Sequence, residues 1–197
     1  MGETDFHIIL ITNLFQTLRT FFANHNDVVV IADMMLYYEE GNPRKVVAPD
    51  VMIVKGVKKY SRRTFKVWEE KSPDVVFEIS SRGTWKEDLQ KKYLLYQNLG
   101  VQEYYIFDPE YDYLKDEPLI AYHLKNGSFE EVKVKRGRVF SHALGLEIVD
   151  TGETLRLFDP ETKSFLPTME ELKNAAEELE SENAKLRAEL AKLKRQN

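Results

Sequence analysis

The sequence predicts a mixed α/β (α+β) protein in which a globular domain precedes a long C-terminal helix. Three observations lead to this fold class. Apolar residues recur every three or four positions from Ile8 to Phe22, as on one face of a helix. Short runs rich in β-branched and aromatic residues follow, bounded by turn residues, and predict strands. After Pro167 the chain contains no proline, glycine or aromatic residue, which is typical of one continuous helix.

The composition excludes several classes of protein. The chain has 197 residues, of which 43% are hydrophobic, so one domain with a buried core and an appendage is expected. There is no cysteine, which excludes disulfides and thiolate chemistry and suggests a reducing, cytoplasmic compartment. No signal peptide or membrane-length apolar run is evident, and we expect no membrane contact. Without a glycine-rich phosphate loop or a histidine metal motif, we expect no small-molecule cofactor.

The first helix is expected to begin at Asp5, a residue suited to the N-cap. Three strands follow in the prediction, and the second contains Pro49, which belongs at a sheet edge or a bulge. These strands cover residues 28–40, 46–54 and 75–80.

The second helix is predicted to start with a capping box formed by Thr84 and Glu87 and to stop at Gly100. A strand over residues 103–109 follows and ends in Asp-Pro. The order of elements up to this point is therefore helix, three strands, helix and strand.

Added β-hairpins are predicted in the remainder of the domain. The Asn126-Gly127 turn, a strong hairpin signal, separates residues 119–124 from residues 129–135. Two further short strands are expected over residues 145–149 and 154–160. We place this domain at residues 1–165.

The C-terminal helix, residues 168–197, carries heptad repeats of the kind found in coiled coils. Asn183 occupies a core position, where a buried amide favours a parallel dimer, and Glu182 with Arg187 and Glu189 with Lys194 would pair across it. The alternatives are a helix packed on its own domain and a helix that recruits a different protein. The core positions, spaced by seven in two series, are Leu172, Leu179, Leu186 and Leu193, and Met169, Ala176, Asn183 and Leu190.

Three charged residues occupy places where apolar or turn residues are expected. Glu78 interrupts an apolar strand, and a buried carboxylate is costly unless it finds a partner or a cation; an edge strand facing water is the alternative. Projected at about 100° per residue, Lys92 falls on the apolar stripe of its helix, with Asp88 also facing inward. A lysine there either reaches out to water or has a buried role. Asp50 follows Pro49, so a turn role is its alternative.

Together these residues suggest metal-dependent hydrolysis. Two carboxylates on neighbouring strands, Asp50 and Glu78, offer the oxygen ligands that Mg²⁺ prefers. Such an ion polarises a phosphoryl oxygen and lowers the pKa of bound water. Lys92 would stabilise the charge that develops during the reaction.

The motifs that surround these residues resemble those of a known family. They are Pro49-Asp50-Val51, the run from Pro73 to Ser81, Asp88 with Lys92 and Tyr96, and Gly100 to Tyr105 followed by Asp108-Pro109. As a set they resemble the Uma-two family of putative bacterial restriction endonucleases, in the PD-(D/E)XK nuclease superfamily. The resemblance runs from about Asp5 to Thr162 and implies a restriction-endonuclease-like α-β-β-β-α-β core.

The resemblance also implies residue roles. Asp50 and Glu78 would bind the metal, with the carbonyl of Ile79 as a further ligand, and Lys92 looks like a motif lysine that has moved to the helix. Ser80 stands where that lysine is usually found. The first helix lacks the acid that many such nucleases use there. The residues that could assist are Ser80, Asp88, His7 and, in partial replacement of the missing acid, Glu39 or Glu40; for His7 a capping or core role is the alternative.

The leading hypothesis is a Mg²⁺-dependent (or Mn²⁺-dependent) endonuclease acting on DNA. Although the chain has a net charge of −5, residues 55–92 hold eleven bases against six acids, a net +5. Their basic loop could follow a phosphate backbone, or could simply be solvated. The rival hypothesis is a catalytically inactive nuclease fold that serves as a dimeric binding or scaffold protein through its coiled coil. The candidate nucleic-acid-binding residues are Lys58, Lys59, Arg62 and Arg63.

Overall fold

The chain divides into two compact units, Met1–Leu166 and Pro167–Asn197. The structure, a computed structural model, describes residues 5–114 and 117–196, without the side chains of residue 189 and residues 193–196. The side chains of Glu189, Leu193 and Lys194, to which the coiled-coil prediction assigned contacts, therefore lie outside the described residues.

The first unit is a mixed α+β fold with several sheets, as predicted. Its helical elements are α1 (Asp5–Phe21), α2 (Trp85–Glu87), a π turn (Asp88–Lys92) and α3 (Tyr93–Leu99). Its strands are β1 (Val28–Ala32), β2 (Leu36–Tyr37), β3 (Val46–Val47), β4 (Val51–Lys55), β5 (Phe65–Lys66), β6 (Val75–Ile79), β7 (Glu103–Phe107), β8 (Leu119–Lys125), β9 (Ser128–Glu131), β10 (Arg138–Ser141), β11 (Leu146–Asp150), β12 (Leu155–Asp159) and β13 (Ser164–Phe165).

The main sheet has six strands in the order β1-β4-β6-β7-β8-β9. Only the central pair within it, β6 and β7, is parallel. A parallel pair needs a crossover, and α2, the π turn and α3 together supply it. We call these three segments the crossover helix. A four-stranded sheet, β10-β11-β12-β13, and a three-stranded sheet, β3-β2-β5, complete the unit.

The two faces of the main sheet are covered by different helices. On one face, α1 buries the side chains of Leu10, Leu14 and Leu18 in a core shared with Phe77. On the other face, Tyr96 of α3 packs among apolar residues of the central strands. Because side chains alternate along a strand, Phe77 and Glu78 point to opposite faces, and Glu78 faces the crossover helix.

Two of the predicted strands are each divided in two. Residues 28–40 do not form one long strand, because Asp33 adopts φ 46° and the chain turns after Ala32. The second predicted strand, residues 46–54, also splits, and Pro49 lies between β3 and β4 rather than within a strand. The Asp33 amide hydrogen lies between the carbonyl oxygens of Pro49 and Asp50, each 3.2 Å from its nitrogen. This contact fixes both breaks next to each other.

The capping box predicted at Thr84 and Glu87 does not form. Thr84 has helical backbone angles and caps nothing; its Oγ1 instead accepts a 3.0 Å hydrogen bond from the amide of Ser81. At the other end of the crossover helix, Gly100 closes α3 with φ 77°, as predicted. The Asn126-Gly127 turn joins β8 to β9, also as predicted.

The second unit contains one helix, α4 (Met169–Gln196), of 28 residues. It begins with a capping box: the Glu171 amide donates to Thr168 Oγ1 over 3.2 Å, and the Thr168 amide donates to Glu171 Oε2 over 2.8 Å. Within the described part of the chain, no helix is long and apolar enough to cross a membrane. Pairing of α4 as a coiled coil remains a prediction.

Candidate active site

Asp50 and Glu78 lie opposite each other at one end of the main sheet. In the antiparallel pair β4–β6, Val51 is the partner of Phe77, so the next step of the register places Asp50 across from Glu78. The amide of Ile79 donates a 2.6 Å hydrogen bond to Oδ2 of Asp50. The two carboxylates are thus held side by side by the sheet itself.

Burial shifts the pKa of both acids upwards. Glu78 is fully buried, and desolvation followed by the charge of Asp50 raises its pKa well above the usual value. Desolvation also raises the pKa of Asp50 from 3.8 to about 6, against the opposing effects of the Ile79 amide and of Lys92. Two buried acids that repel each other in this way would be stabilised by a cation placed between them.

Lys92 lies between two buried carboxylates. Its Nζ is 2.8 Å from Oε2 of Glu78 and 2.9 Å from Oδ1 of Asp88. Burial alone would lower the pKa of this ammonium, but the charges of Glu78 and Asp88 outweigh that effect and raise it. Lys92 therefore stays protonated at neutral pH, so it can donate hydrogen bonds and stabilise negative charge but cannot act as a base.

Ser80 and Asp88, two of the predicted accessory residues, belong to the same cluster as Asp50, Glu78 and Lys92. The hydroxyl of Ser80 donates a 2.9 Å hydrogen bond to Oδ2 of the buried Asp88. Asp88 in turn holds Lys92, which is four residues further along the crossover helix. Ser80 thus contacts the carboxylate group that pairs with Lys92.

Two tyrosines contact the cluster, and sequence reasoning assigned a role to neither. The hydroxyl of Tyr96 donates a 2.6 Å hydrogen bond to Oε1 of Glu78, and that of Tyr104 donates a 3.0 Å bond to the backbone carbonyl of Asp88. Their rings lie edge to face with centroids 5.0 Å apart. The available signal was the spacing of four residues from Asp88 to Lys92 and again to Tyr96.

Asp50 also borders open space. It lines a cavity of about 360 Å³ between α1 and the end of β1. A substrate would approach the carboxylates from this side. The other lining residues are Ile8, Ile11, Thr12, Phe15, Ala32 and Asp33.

The two further candidate residues are Glu40 and His7. Glu40 is exposed in the turn after β2, near Lys66, and no described contact joins it to the carboxylates. His7 is buried within α1. The first helix contributes Ile8, Ile11, Thr12 and Phe15 to the walls of the cavity beside Asp50.

Two of the four predicted nucleic-acid-binding residues, Lys59 and Arg62, form contacts within the protein. Arg62 forms a bidentate ion pair with Glu70, with both contacts at 2.6 Å, and stacks 3.8 Å from the centre of the Tyr60 ring. The Lys59 ammonium donates to the carbonyl oxygens of Phe22 and Ala23 at 2.8 and 3.2 Å. Lys58 and Arg63 are exposed.

The donor set suits a hard divalent cation such as Mg²⁺. Asp50 and Glu78 offer carboxylate oxygens, and Ile79, the residue after Glu78, offers its backbone carbonyl. Among the described residues, no group of three or more histidine, aspartate or glutamate side chains is arranged to hold a metal ion. An ion here would therefore take its remaining ligands from main-chain oxygen and water.

Comparison with known proteins places the chain among nuclease-like proteins. The family model described as Uma2, putative restriction endonuclease, matches residues 1–152. Among solved structures, the chain is similar to a putative nuclease belonging to DUF820 from Anabaena variabilis ATCC 29413, with 12% sequence identity and a TM-score of 0.53. The similarity covers 73% of this chain and 76% of that chain, and at such identity it shows the fold alone. No curated protein matches this chain.

Proposed function

Since the chain belongs to the Uma2 family of putative restriction endonucleases, we propose that it is an endonuclease that hydrolyses phosphodiester bonds in DNA and depends on Mg²⁺ or Mn²⁺. The observation that carries the proposal is the cluster of Asp50, Glu78 and Lys92 at one end of the main sheet, open to solvent through the cavity beside Asp50.

Asp50 and Glu78 would hold the ion, with the carbonyl of Ile79 as a further ligand. When bound, such an ion polarises a phosphoryl oxygen and lowers the pKa of a bound water. The Ile79 amide fixes one oxygen of Asp50, Oδ2, by a 2.6 Å hydrogen bond. Both carboxylates have raised pKa values, so the ion must displace protons from them, which makes its binding stronger as pH rises.

Lys92 supplies the fixed positive charge of the proposed mechanism. Its ammonium is held by Glu78 and Asp88, so it needs little reorganisation as negative charge develops on the phosphoryl oxygens. Asp88 and Ser80 position Lys92, and Tyr96 positions Glu78. These three are positioning residues: Asp88 and Tyr96 contact proposed catalytic groups directly, and Ser80 acts through Asp88.

The proposal of DNA as substrate is supported by the family and by the basic segment that carries the site. Within the predicted loop, Lys58 and Arg63 are the exposed cations best placed to meet phosphates, because Arg62 is neutralised by Glu70. Lys59 retains its charge, since its partners are neutral carbonyl groups.

We also propose that α4 pairs with α4 of a second copy as a parallel coiled coil. Its leucines at the predicted core positions, Leu172, Leu179, Leu186 and Leu190, are 38–59% exposed in the single chain. A helix of 28 residues, about 42 Å long, that presents an apolar stripe of this kind gains stability by covering it. Asn183, whose amide donates to the Leu179 carbonyl over 3.0 Å, is the polar core residue that would set the register.

The nuclease proposal is tested by incubating supercoiled plasmid with the full-length protein and Mg²⁺ or Mn²⁺. Wild type should nick the plasmid, and Asp50→Ala and Lys92→Ala should each lower the rate by about a hundredfold or more. Lys91→Ala is the matched control, because the neighbouring Lys91 is exposed and lies 3.8 Å from Glu87 outside the cluster. Nicking that survives both site substitutions would disprove the assignment. Wild type that neither nicks nor binds Mg²⁺ by calorimetry would point to the scaffold function instead.

A further inference from the structure

A continuous groove follows the outer edge of the main sheet and ends at Asp50. It consists of three adjoining cavities of about 530, 340 and 360 Å³. The first two share Phe15, Arg19 and Tyr60, and the last two share Phe15 and Ala32. We call it the edge groove; its floor is β1, and its walls are α1 and the loop that contains Tyr60.

The floor of the edge groove has hydrogen-bonding groups to offer. β1 is the outermost strand of the sheet, and the Asp33 amide already donates to the carbonyl of Asp50 on the β4 side. In an antiparallel pair the backbone groups alternate in direction, so those of Val30 and Ala32 point away from β4. In the part of the chain that the structure describes, no hydrogen bond from outside the sheet reaches these two residues.

The charges of the edge groove are separated along its length. Arg19 is exposed, with its guanidinium 5.1 Å from the centre of the Phe15 ring, and among the described residues it forms no ion pair. Lys59 contributes a second cation whose partners are carbonyl groups. The acids that line the groove, Asp33 and Asp50, lie only at the end next to the candidate active site. This arrangement favours an anionic polymer that runs over the cations towards the metal ligands.

The dimensions of the edge groove select a single strand. Each of its three cavities has the size of a small-molecule site, whereas a DNA duplex is broader than its own major groove, which is about 12 Å wide. The five residues of β1 extend over about 17 Å, enough for about five nucleotides stacked at about 3.4 Å each. Tyr60, 59% exposed, and Phe15 provide aromatic surfaces of the kind on which bases stack.

We propose that the edge groove binds a single strand of nucleic acid and directs it to Asp50, so that the preferred substrate contains a single-stranded segment. That the strand is directed to Asp50 rests on the proposed function, in which cleavage occurs at this end of the edge groove. Arg19 and Lys59 would contact phosphates, and Tyr60 would stack on a base.

The test is fluorescence anisotropy of the full-length protein in EDTA, which prevents cleavage. A short labelled oligothymidylate should bind at least about tenfold more tightly than a blunt duplex of the same length. Arg19→Ala should weaken binding of the single strand about tenfold. Because one phosphate contact is lost, the slope of log K against log salt concentration should also become shallower by about 0.7. Tyr60→Ala should weaken binding similarly, while Tyr60→Phe, which keeps the ring, should not. Arg44→Ala is the matched control, because Arg44 is exposed and lines none of the three cavities.

Equal or tighter binding of the duplex would overturn the inference. So would an affinity for the single strand that Arg19→Ala leaves unchanged while circular dichroism shows the fold intact. The plasmid assay separates this inference from the nuclease proposal. Metal-dependent nicking without binding of the oligothymidylate would reject the edge groove alone, whereas Arg19-dependent binding without nicking would support the groove and reject the nuclease.

Discussion

The hydroxyl of Tyr96 donates a 2.6 Å hydrogen bond to Oε1 of Glu78, a carboxylate that is fully buried in the sheet. The other carboxylate oxygen of Glu78, Oε2, accepts a 2.8 Å hydrogen bond from Nζ of Lys92. One helix therefore fixes both oxygens of Glu78, and the carboxylate has little freedom to rotate. This is the arrangement expected of a metal ligand that is oriented before the metal arrives.

Replacing Tyr96 by phenylalanine should weaken Mg²⁺ binding. The ring and its packing remain, but Oε1 of Glu78 loses a donor that favours its charged form, a contact of about 1.5–3 kcal/mol. We expect roughly tenfold lower affinity by calorimetry, with partial recovery at higher pH as Glu78 ionises. Tyr93→Phe is the control, because the Tyr93 hydroxyl donates to the Phe129 carbonyl at 3.4 Å and, among the described residues, makes no hydrogen bond to the cluster. Equal affinities of wild type and Tyr96→Phe would contradict the assigned role.

Without metal, Asp50 should make the protein less stable as pH rises. Its pKa is about 6 in the folded state against 3.8 in the unfolded chain, so between these values the folded state binds more protons. At 1.36 kcal/mol per pKa unit, this contributes a loss of about 3 kcal/mol on going from below pH 4 to above pH 6, with no further change at higher pH. Denaturant unfolding should show a fall in this window that is smaller in Asp50→Asn. The same pH dependence in both proteins would refute the shift.

Two glycines in similar backbone conformations should respond differently to alanine. Gly137 and Gly145 have φ of 71° and 73°, so both substitutions strain the backbone by about 1–2 kcal/mol. An added Cβ at Gly137 would also lie 2.5 Å from the backbone oxygen of Asp150, whereas at Gly145 nothing lies within 4 Å. We expect Gly137→Ala to lower the free energy of unfolding by about 1–3 kcal/mol more than Gly145→Ala does. Equal losses in urea unfolding would argue against the close contact.

Deleting residues 169–197 should halve the mass of the protein measured by light scattering, because the proposed dimer depends on α4. A second variant, Asn183→Leu, should leave a more stable assembly with a less defined number of chains, since the buried amide limits the coiled coil to a dimer at some cost in stability. A mass unchanged by the deletion would place any self-association in the globular unit.

Features that depend on local pattern were predictable from the sequence. The three-and-four spacing located α1, the apolar run located β6, and Gly100 marked the end of the crossover helix. The unexpected positions of Glu78 and Lys92 in apolar settings indicated the cluster, because a buried charge requires a partner. These inferences needed only the neighbours in sequence.

Features that depend on distant contacts were not predictable. The strand breaks at Asp33, within an apolar run. Two features explain the break: aspartate tolerates a positive φ, and the Asp33 amide bonds to the carbonyls of Pro49 and Asp50, which are distant in sequence. Likewise, a count of charges in the basic loop cannot show that Glu70 neutralises Arg62. Tyr96 reads as an ordinary core residue until the strand that carries Glu78 is placed beneath it.

The π turn makes the backbone conformation of the crossover helix as important to the site as its composition. Asp88, Lys92 and Tyr96 are each four residues apart, and in a regular α-helix each such step would drift by about 40°, carrying the third residue about 80° from the first. A wider turn offsets this drift, so residues on both sides of it reach Glu78 or its partner lysine. A regular α-helical turn over Asp88–Lys92, with the same number of residues, would leave the drift uncorrected and place Tyr96 about 80° around the helix from Asp88, even with every contact residue retained. The backbone conformation of this segment therefore determines whether Tyr96 reaches Glu78.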